Sequence, residues 1–202
     1  MPIVSEEYKE EKKEQILDSA FECFAKKGFQ TATMDDIVAH CGMSKGAIYN
    51  YFSSKEEIYL DLLTRATDKN FVQYHKHFAK HRTASSKIDY LFNAYLSANP
   101  IDRNRLEYIV VFYEFNLHST RDPDLLQQLH ERKRKLVALV NDIIQEGQEQ
   151  GEFKQDIPSQ LYAERFWTII DGVNLHAVYD EFPYYDVLRE LKDMYLEELK
   201  SE

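Results

Sequence analysis

The stretch Met34–Phe52, "MDDIVAHCGMSKGAIYNYF", places two short apolar-patterned segments around a glycine-centred turn and ends in asparagine and tyrosines. A helix, a turn containing glycine and a second short helix form the unit that lays its second helix in the DNA major groove. The surface of that second segment decides whether this chain can do so. At about 100° per residue, Ile48 and Phe52 share one side and suit a core. Gly46, Ala47, Tyr49, Asn50 and Tyr51 spread over the opposite arc, with Lys45 projecting from the first turn. Asn50 can both donate and accept at a base edge, and Lys45 can reach guanine acceptors or a phosphate. Ala47 can touch a thymine methyl, and the tyrosine hydroxyls can bond phosphate oxygens. Gly46 lets the backbone come close.

Working outward, cap and stop residues divide the whole chain into helices. Ser5 caps a first helix whose apolar positions Ile16, Leu17, Ala20, Phe21 and Phe24 recur at helical spacing, and Gly28 after two lysines stops it. Thr33 with Asp36 has the pattern of a capping box for a second helix through His40, which Gly42 breaks. Ser44 caps a third through Phe52, and Ser54 with Glu57 opens a long fourth. Pro- and Gly-containing breaks later in the chain leave helices at about 85–98, 103–119, 123–149, 158–180 and 184–200. The expectation is an all-α protein of about nine helices, with an N-terminal domain over 1–53 and a C-terminal domain over 54–202.

The free N–H groups at the helix starts Thr33, Ser44 and Ser54 suit phosphate, and Lys55 adds a formal charge beside one of them. Electrostatics sets a limit. The chain carries a net charge of -10, and residues 1–60 hold seven Lys against eleven Asp or Glu, a net of -4. Such a field repels nucleic acid at long range, so the expectation is modest non-specific binding with a shallow salt dependence. Much of the acid, Glu6 to Glu14, lies far along the sequence from the reading segment.

Hydrophobic residues at 44% and charged residues at 30%, with 6 Gly and 5 Pro among 202 residues, describe a globular helical chain rather than a disordered one. Cys23 and Cys41 have neither disulfide-framework nor metal-ligand spacing, and no segment has the apolar length of a signal peptide or membrane span. A cytoplasmic protein without membrane association is expected.

The run "ILDSAFECFAKKGFQTATMDDIVAHCGMSKGAIYNYFSSKEEIYLDLL", Ile16 to Leu63, resembles the DNA-binding domain of the TetR family of bacterial transcriptional regulators. A domain of that type would cover about 10–70. The resemblance implies a homodimer on a palindromic double-stranded operator, usually a repressor, released by a small-molecule effector bound in the C-terminal domain. It implies that Thr33, Ser44, Lys45, Ala47, Tyr49, Asn50, Tyr51 and Lys55 face DNA. Cys41 departs from the family's usual alanine and reads as an inert buried thiol.

Aromatic stripes in the C-terminal half are read either as core or as pocket walls. Polar residues interrupt them, which favours a pocket at Tyr95, Phe112, Tyr113, Glu114, His118, Trp167, Asp171 and Asn174. Glu114 and Asp171 would then favour a cationic or hydrogen-bond-donating effector. The segments Arg165–Tyr179 and Tyr185–Leu199 suit a four-helix dimer interface, where Gly172 permits close approach or marks a bend. His77 and His81 are an i, i+4 pair without a third ligand fixed by sequence, so no metal or cofactor is expected. An enzyme lacks any nucleophile, phosphate-loop or nucleotide fingerprint here. A protein-binding adaptor would use the N-terminal motif only as packing.

Overall fold

The computed structural model describes residues 5–80, 82–99 and 102–201, with Asn104 represented by its backbone. Its helices follow from their ends. Ser5 accepts the Tyr8 amide and starts α1 (Glu6–Lys27), and Gly28, at φ 76, closes it with its N–H on the Phe24 carbonyl. Positive φ is the conformation that glycine adopts at no steric cost. Thr33 and Asp36 exchange both bonds of a capping box at the start of α2 (Met34–Cys41). Ser44 accepts the Ala47 amide and starts α3 (Lys45–Tyr49).

α3 is shorter than the sequence pattern implies. Tyr51 donates to the Ile48 carbonyl and Phe52 to the same oxygen, so the last turn tightens while the ladder still reaches Phe52. Ser54 caps α4 (Lys55–Phe78) through the Glu57 amide, but the Glu57 carboxylate reaches Ser53 N and Oγ at 2.7 Å each, one residue earlier than a capping box would place it.

The remaining helices are α5 (Ala84–Leu96), α6 (Arg103–Ser119), α7 (Pro123–Glu149), α8 (Ser159–His176) and α9 (Tyr184–Leu199), which makes nine among the described residues. α8 stops short of the expected 180. Ala177 and Tyr179 form its closing turns, and Glu181 takes a left-handed φ of 67 before Pro183. No helix among the described residues is long and apolar enough to cross a membrane.

The chain forms two compact units whose division passes through α4, α6 and the first turn of α7 rather than through a linker. Unit 1 comprises Met1–Lys69 and Val110–Leu126. Its core contains Ile16, Leu17, Ala20, Ile37, Ile48 and Ile58 around the rings of Phe24, Phe29, Tyr59 and Phe115, all at most 1% exposed. These rings meet at centroid distances of 4.6–5.6 Å in tilted and edge-on contacts, the arrangement that aromatic quadrupoles favour. Arg65 of α4 ties down the acidic start of α1 through Glu10 and Glu14, and bonds Asp61 on its own helix. Part of the acid counted against DNA binding is thereby neutralised.

Unit 2 comprises Asn70–Ile109 and Gln127–Glu202. Phe92, Phe166 and Tyr195 interlock at 4.7–6.1 Å, with Ile88, Val140, Ile144, Phe153 and Leu188 packed into the same core. Glu152 accepts the Ala84 and Ser85 amides and so caps α5 from the far end of α7. A single antiparallel bridge joins Phe153 to Lys200.

Gly147 in α7 lies under the Phe153 ring. A Cβ there would collide with that ring and come within 2.8 Å of the Ala84 Cβ. Alanine is the better helix former by about 1 kcal/mol, yet overpacking a tight core costs about 1–3 kcal/mol. Gly147→Ala is expected to lower stability by about 1 kcal/mol or more in urea unfolding at fixed protein concentration, where helix propensity alone would raise it.

Candidate nucleic-acid interface and effector site

The backing of α3 is apolar and closed, with Ile48 0% and Phe52 2% exposed, while its other side is open. Lys45, Gly46 and Asn50 are exposed, Ala47 and Tyr51 half-buried, and Tyr49 stands 43% exposed. The structure therefore gathers Lys45–Tyr51 onto one accessible ridge. Lys45 is held by Asp35 at 2.7 Å and lies over the Tyr49 ring, and its hydrogen bond to that carboxylate raises its pKa. Ser44 and Thr33 are exposed, with their hydroxyls engaged in caps: Thr33 Oγ1 donates to Asp36 Oδ2 and accepts the Asp36 amide.

Lys55 does something else. Its ammonium donates to the carbonyls of Phe29, Gln30 and Ala32 at 2.7, 3.0 and 2.8 Å and lies over the Phe29 ring. Expected to face DNA, it instead closes the turn between α1 and α2, because an ammonium's donors match three converging carbonyls. Glu114, expected in the effector pocket, accepts the Phe29 amide at 2.6 Å from the second half of α6. His118 sits one turn further along, 3.2 Å from Gln30 and 3.4 Å from Glu56. Phe112 and Tyr113 belong to the same segment of unit 1.

The eight expected effector residues are thus divided between units, since α6 contributes one end to each. Tyr95, Trp167, Asp171 and Asn174 lie in unit 2. Trp167 is core: it is 8% exposed, donates Nε1–H to the Leu136 carbonyl at 2.8 Å and packs edge-on against Phe166. The other three belong to a polar cluster in an aromatic setting. Burial raises the pKa of Tyr95, Tyr74 and Tyr108, and Tyr95 interacts electrostatically with Asp171 and Tyr184. Asp171 is exposed, yet desolvation raises its pKa, opposed by Lys133 and Arg132. Tyr95, Asp171, Asn174 and Tyr184 thus form a polar cluster among buried tyrosines.

Arg105 and Tyr184 were missed by the sequence reading. Arg105 donates to Asn174 Oδ1 at 3.0 Å and to the Tyr184 hydroxyl at 2.8 Å. It stands three residues before Tyr108, on the same side of α6, so its helical phase was the available signal. His77 packs on the Tyr90 ring at 4.4 Å, and His81 lies outside the described residues.

Fold and ridge together define a helix-turn-helix transcriptional regulator with an all-helical C-terminal half. The family model for bacterial regulatory proteins of the tetR family matches residues 16–62, and that for the tetracyclin repressor-like C-terminal domain matches 87–187. The chain belongs to the TetR family of bacterial transcriptional regulators. It is 30% identical to the HTH-type transcriptional regulator YfiR of Bacillus subtilis, over 96% of this chain and 95% of that one. It is 25% identical to the HTH-type transcriptional repressor Rv1474c of Mycobacterium tuberculosis, over 91% of each. The fold matches that of FadR from Bacillus subtilis in complex with stearoyl-CoA, with a TM-score of 0.79 and 21% identity over 92% of this chain and 98% of that one.

The two kinds of residue separate experimentally. Asn50→Ala is expected to weaken binding to the operator by about 1–3 kcal/mol for a base-edge contact, Tyr49→Ala to weaken it through a lost phosphate contact, and both to leave thermal stability unchanged. Lys55→Met is expected to destabilise the protein by about 2 kcal/mol, because it strips charged donors from three carbonyls; thermal unfolding and operator titration of the three variants check both.

Asp36 provides a pH test. Its hydrogen bonds from Lys27 and Thr33 hold its carboxyl at about 2, below the ordinary 3.8. A depressed carboxylate stabilises the fold above the unfolded pKa and loses that contribution as pH falls through the folded one, here between about pH 4 and 2. Asp36→Asn is expected to flatten the acid limb of the stability curve in that window, as read by circular dichroism.

Proposed function

We propose that the chain is a ligand-responsive repressor that binds a palindromic operator as a homodimer through the Lys45–Tyr51 ridge. The observation that carries this reading is the exposed ridge on a sealed apolar backing. Each exposed group on it has a partner in the major groove: Asn50 at base edges, Lys45 at guanine or phosphate once it leaves Asp35, Tyr49 and Tyr51 at phosphates. Thr33 and Ser44 stand at helix starts where backbone N–H groups suit a phosphate. Lys55 acts inside the domain by holding the turn that precedes α2.

Pairing through α8 and α9 is supported by the side chains that these helices leave exposed, among them Leu161, Leu175 and Met194, with Tyr179 exposed just past α8. A Cβ added at exposed Gly172 would meet nothing within 4 Å, so a second helix could approach closely there. A self-complementary apolar face is what a two-fold dimer requires. The unit 2 cluster around Tyr95, Asp171 and Asn174 takes the effector, and the stearoyl-CoA complex of a structural neighbour supports a small-molecule ligand for this chain too. Effector binding releases DNA insofar as it favours a conformation with a different spacing of the two ridges.

Footprinting of the purified protein on its own upstream region tests the reading. Two protected half-sites about one helical turn apart or slightly more are expected. Leu175→Arg should shift the protein toward monomer in sedimentation equilibrium and abolish the paired footprint. With few formal charges on the ridge, the log–log salt slope should stay well below roughly ten in magnitude. Failure to retain any duplex at low ionic strength would overturn the proposal.

A further inference from the structure

The sequence suggested that carboxylates would define the effector's charge, but the structure changes the inventory. Glu114 belongs to unit 1, and Asp171 in unit 2 faces the positive field of Arg132 and Lys133. Arg105 and Arg132 are both half-buried cations of this region, and Arg105 is the one held by neutral partners. Its guanidinium gives one Nη2 to the Asn174 carbonyl oxygen and the Tyr184 hydroxyl, and its carbon lies 5.5 Å from the Tyr184 ring centroid. Both partners are neutral. Among the described residues no carboxylate pairs with the guanidinium, and its Nε–H and Nη1–H donors have no partner.

A partly buried guanidinium held by neutral groups bears the cost of desolvation without an opposite charge to offset it. Here it is also fixed in direction. Asn174 and Tyr184 converge on one nitrogen, and the Tyr184 hydroxyl stands 3.4 Å from the Tyr95 carbonyl. The unused edge, Nε with Nη1, is the planar fork that accepts a carboxylate or phosphate in two parallel bonds. Asn174 lies one turn along α8 from Asp171, and the Tyr184 hydroxyl meets both Asn174 and the Tyr95 carbonyl, so the fork borders the polar cluster described above. The surroundings of that cluster are aromatic: Tyr95 neighbours Tyr74, Tyr108 and Tyr184, with Phe71 and Phe78 beside Tyr74.

We propose that Arg105, oriented by Asn174 and Tyr184, is an oxyanion-binding subsite, and that the effector is an amphipathic molecule with a carboxylate or phosphate head on an apolar body. This rests on the reading of the unit 2 cluster as the effector site and specifies its chemistry. The charge is opposite to the cationic effector that the sequence suggested. The oxyanion completes the guanidinium's bonds and the aromatic surroundings cover the apolar body, so neither half alone would bind well.

Binding to the full-length protein is measured by calorimetry and by thermal shift with four probes of equal tail length below their micellar concentrations. The probes are dodecanoate, dodecyl phosphate, dodecanol and dodecyltrimethylammonium. At least one oxyanion is expected to bind about tenfold or more tighter than the alcohol and the ammonium, the size of a charge-assisted hydrogen-bond pair. Whether dodecanoate or dodecyl phosphate binds tighter identifies the head group. Arg105→Gln should reduce the favoured oxyanion to the level of dodecanol, and Arg105→Lys, which keeps the charge, should restore part of the preference. Equal binding of dodecanol and both oxyanions to the wild type, an unchanged preference in Arg105→Gln, or no binding by any probe would overturn the subsite. Operator titrations with the same probes separate the two readings. Tight oxyanion binding without any change in operator affinity keeps the subsite and removes the release mechanism, whereas release by dodecanol as effective as by dodecanoate keeps the mechanism and removes the subsite.

Discussion

The Phe29 peptide is gripped from both sides. Its N–H points at the Glu114 carboxylate and its carbonyl at the Lys55 ammonium, while its ring packs among Phe24, Tyr59 and Phe115. Charged partners make both bonds stronger than ordinary amide contacts. The turn they hold leads straight into the capping box of α2, and α2 with its glycine turn sets where α3 lies. Gly28 belongs to the same arrangement, because a Cβ at that position would lie 3.0 Å from a Glu114 oxygen. The exposed ridge of α3 thus depends on a constraint formed well away from it.

Much of this architecture was legible in the sequence, for identifiable reasons. Ser5, Thr33 and Ser44 mark helix starts that the structure places as read, because a cap is a local bond between neighbours a few residues apart. The inward turn of Ile48 and Phe52 followed from helical phase alone. What the sequence concealed were long-range assignments. Lys55 and Glu114 each had an obvious polar role by type, yet each is used by a turn remote in sequence. Trp167 looked like a pocket wall until its indole N–H was found on the Leu136 carbonyl. α6 divides its residues between two units, and a linear reading cannot show which half serves which.

The electrostatics reconcile an acidic chain with a DNA-binding class. Arg65, which lies outside the 1–60 count, ties down Glu10 and Glu14, so the start of α1 is less acidic than that count implies, and Lys27 holds Asp36. Lys45 is itself paired with Asp35. Exposed pairs of this kind contribute little to stability and exchange partners readily.

The bridge between Phe153 and Lys200 has a bearing on how the protein is made. Lys154 donates to the Leu199 carbonyl and Ser201 to the Glu152 carbonyl, while the Glu152 side chain caps the first turn of α5. Residues 199–201 therefore help fix an element synthesised long before them. During translation α5 emerges well before residues 199–201, which complete the clasp that steadies the residue capping its first turn. The C-terminal unit thus depends on a contact of long sequence separation, the kind whose loop closure slows folding.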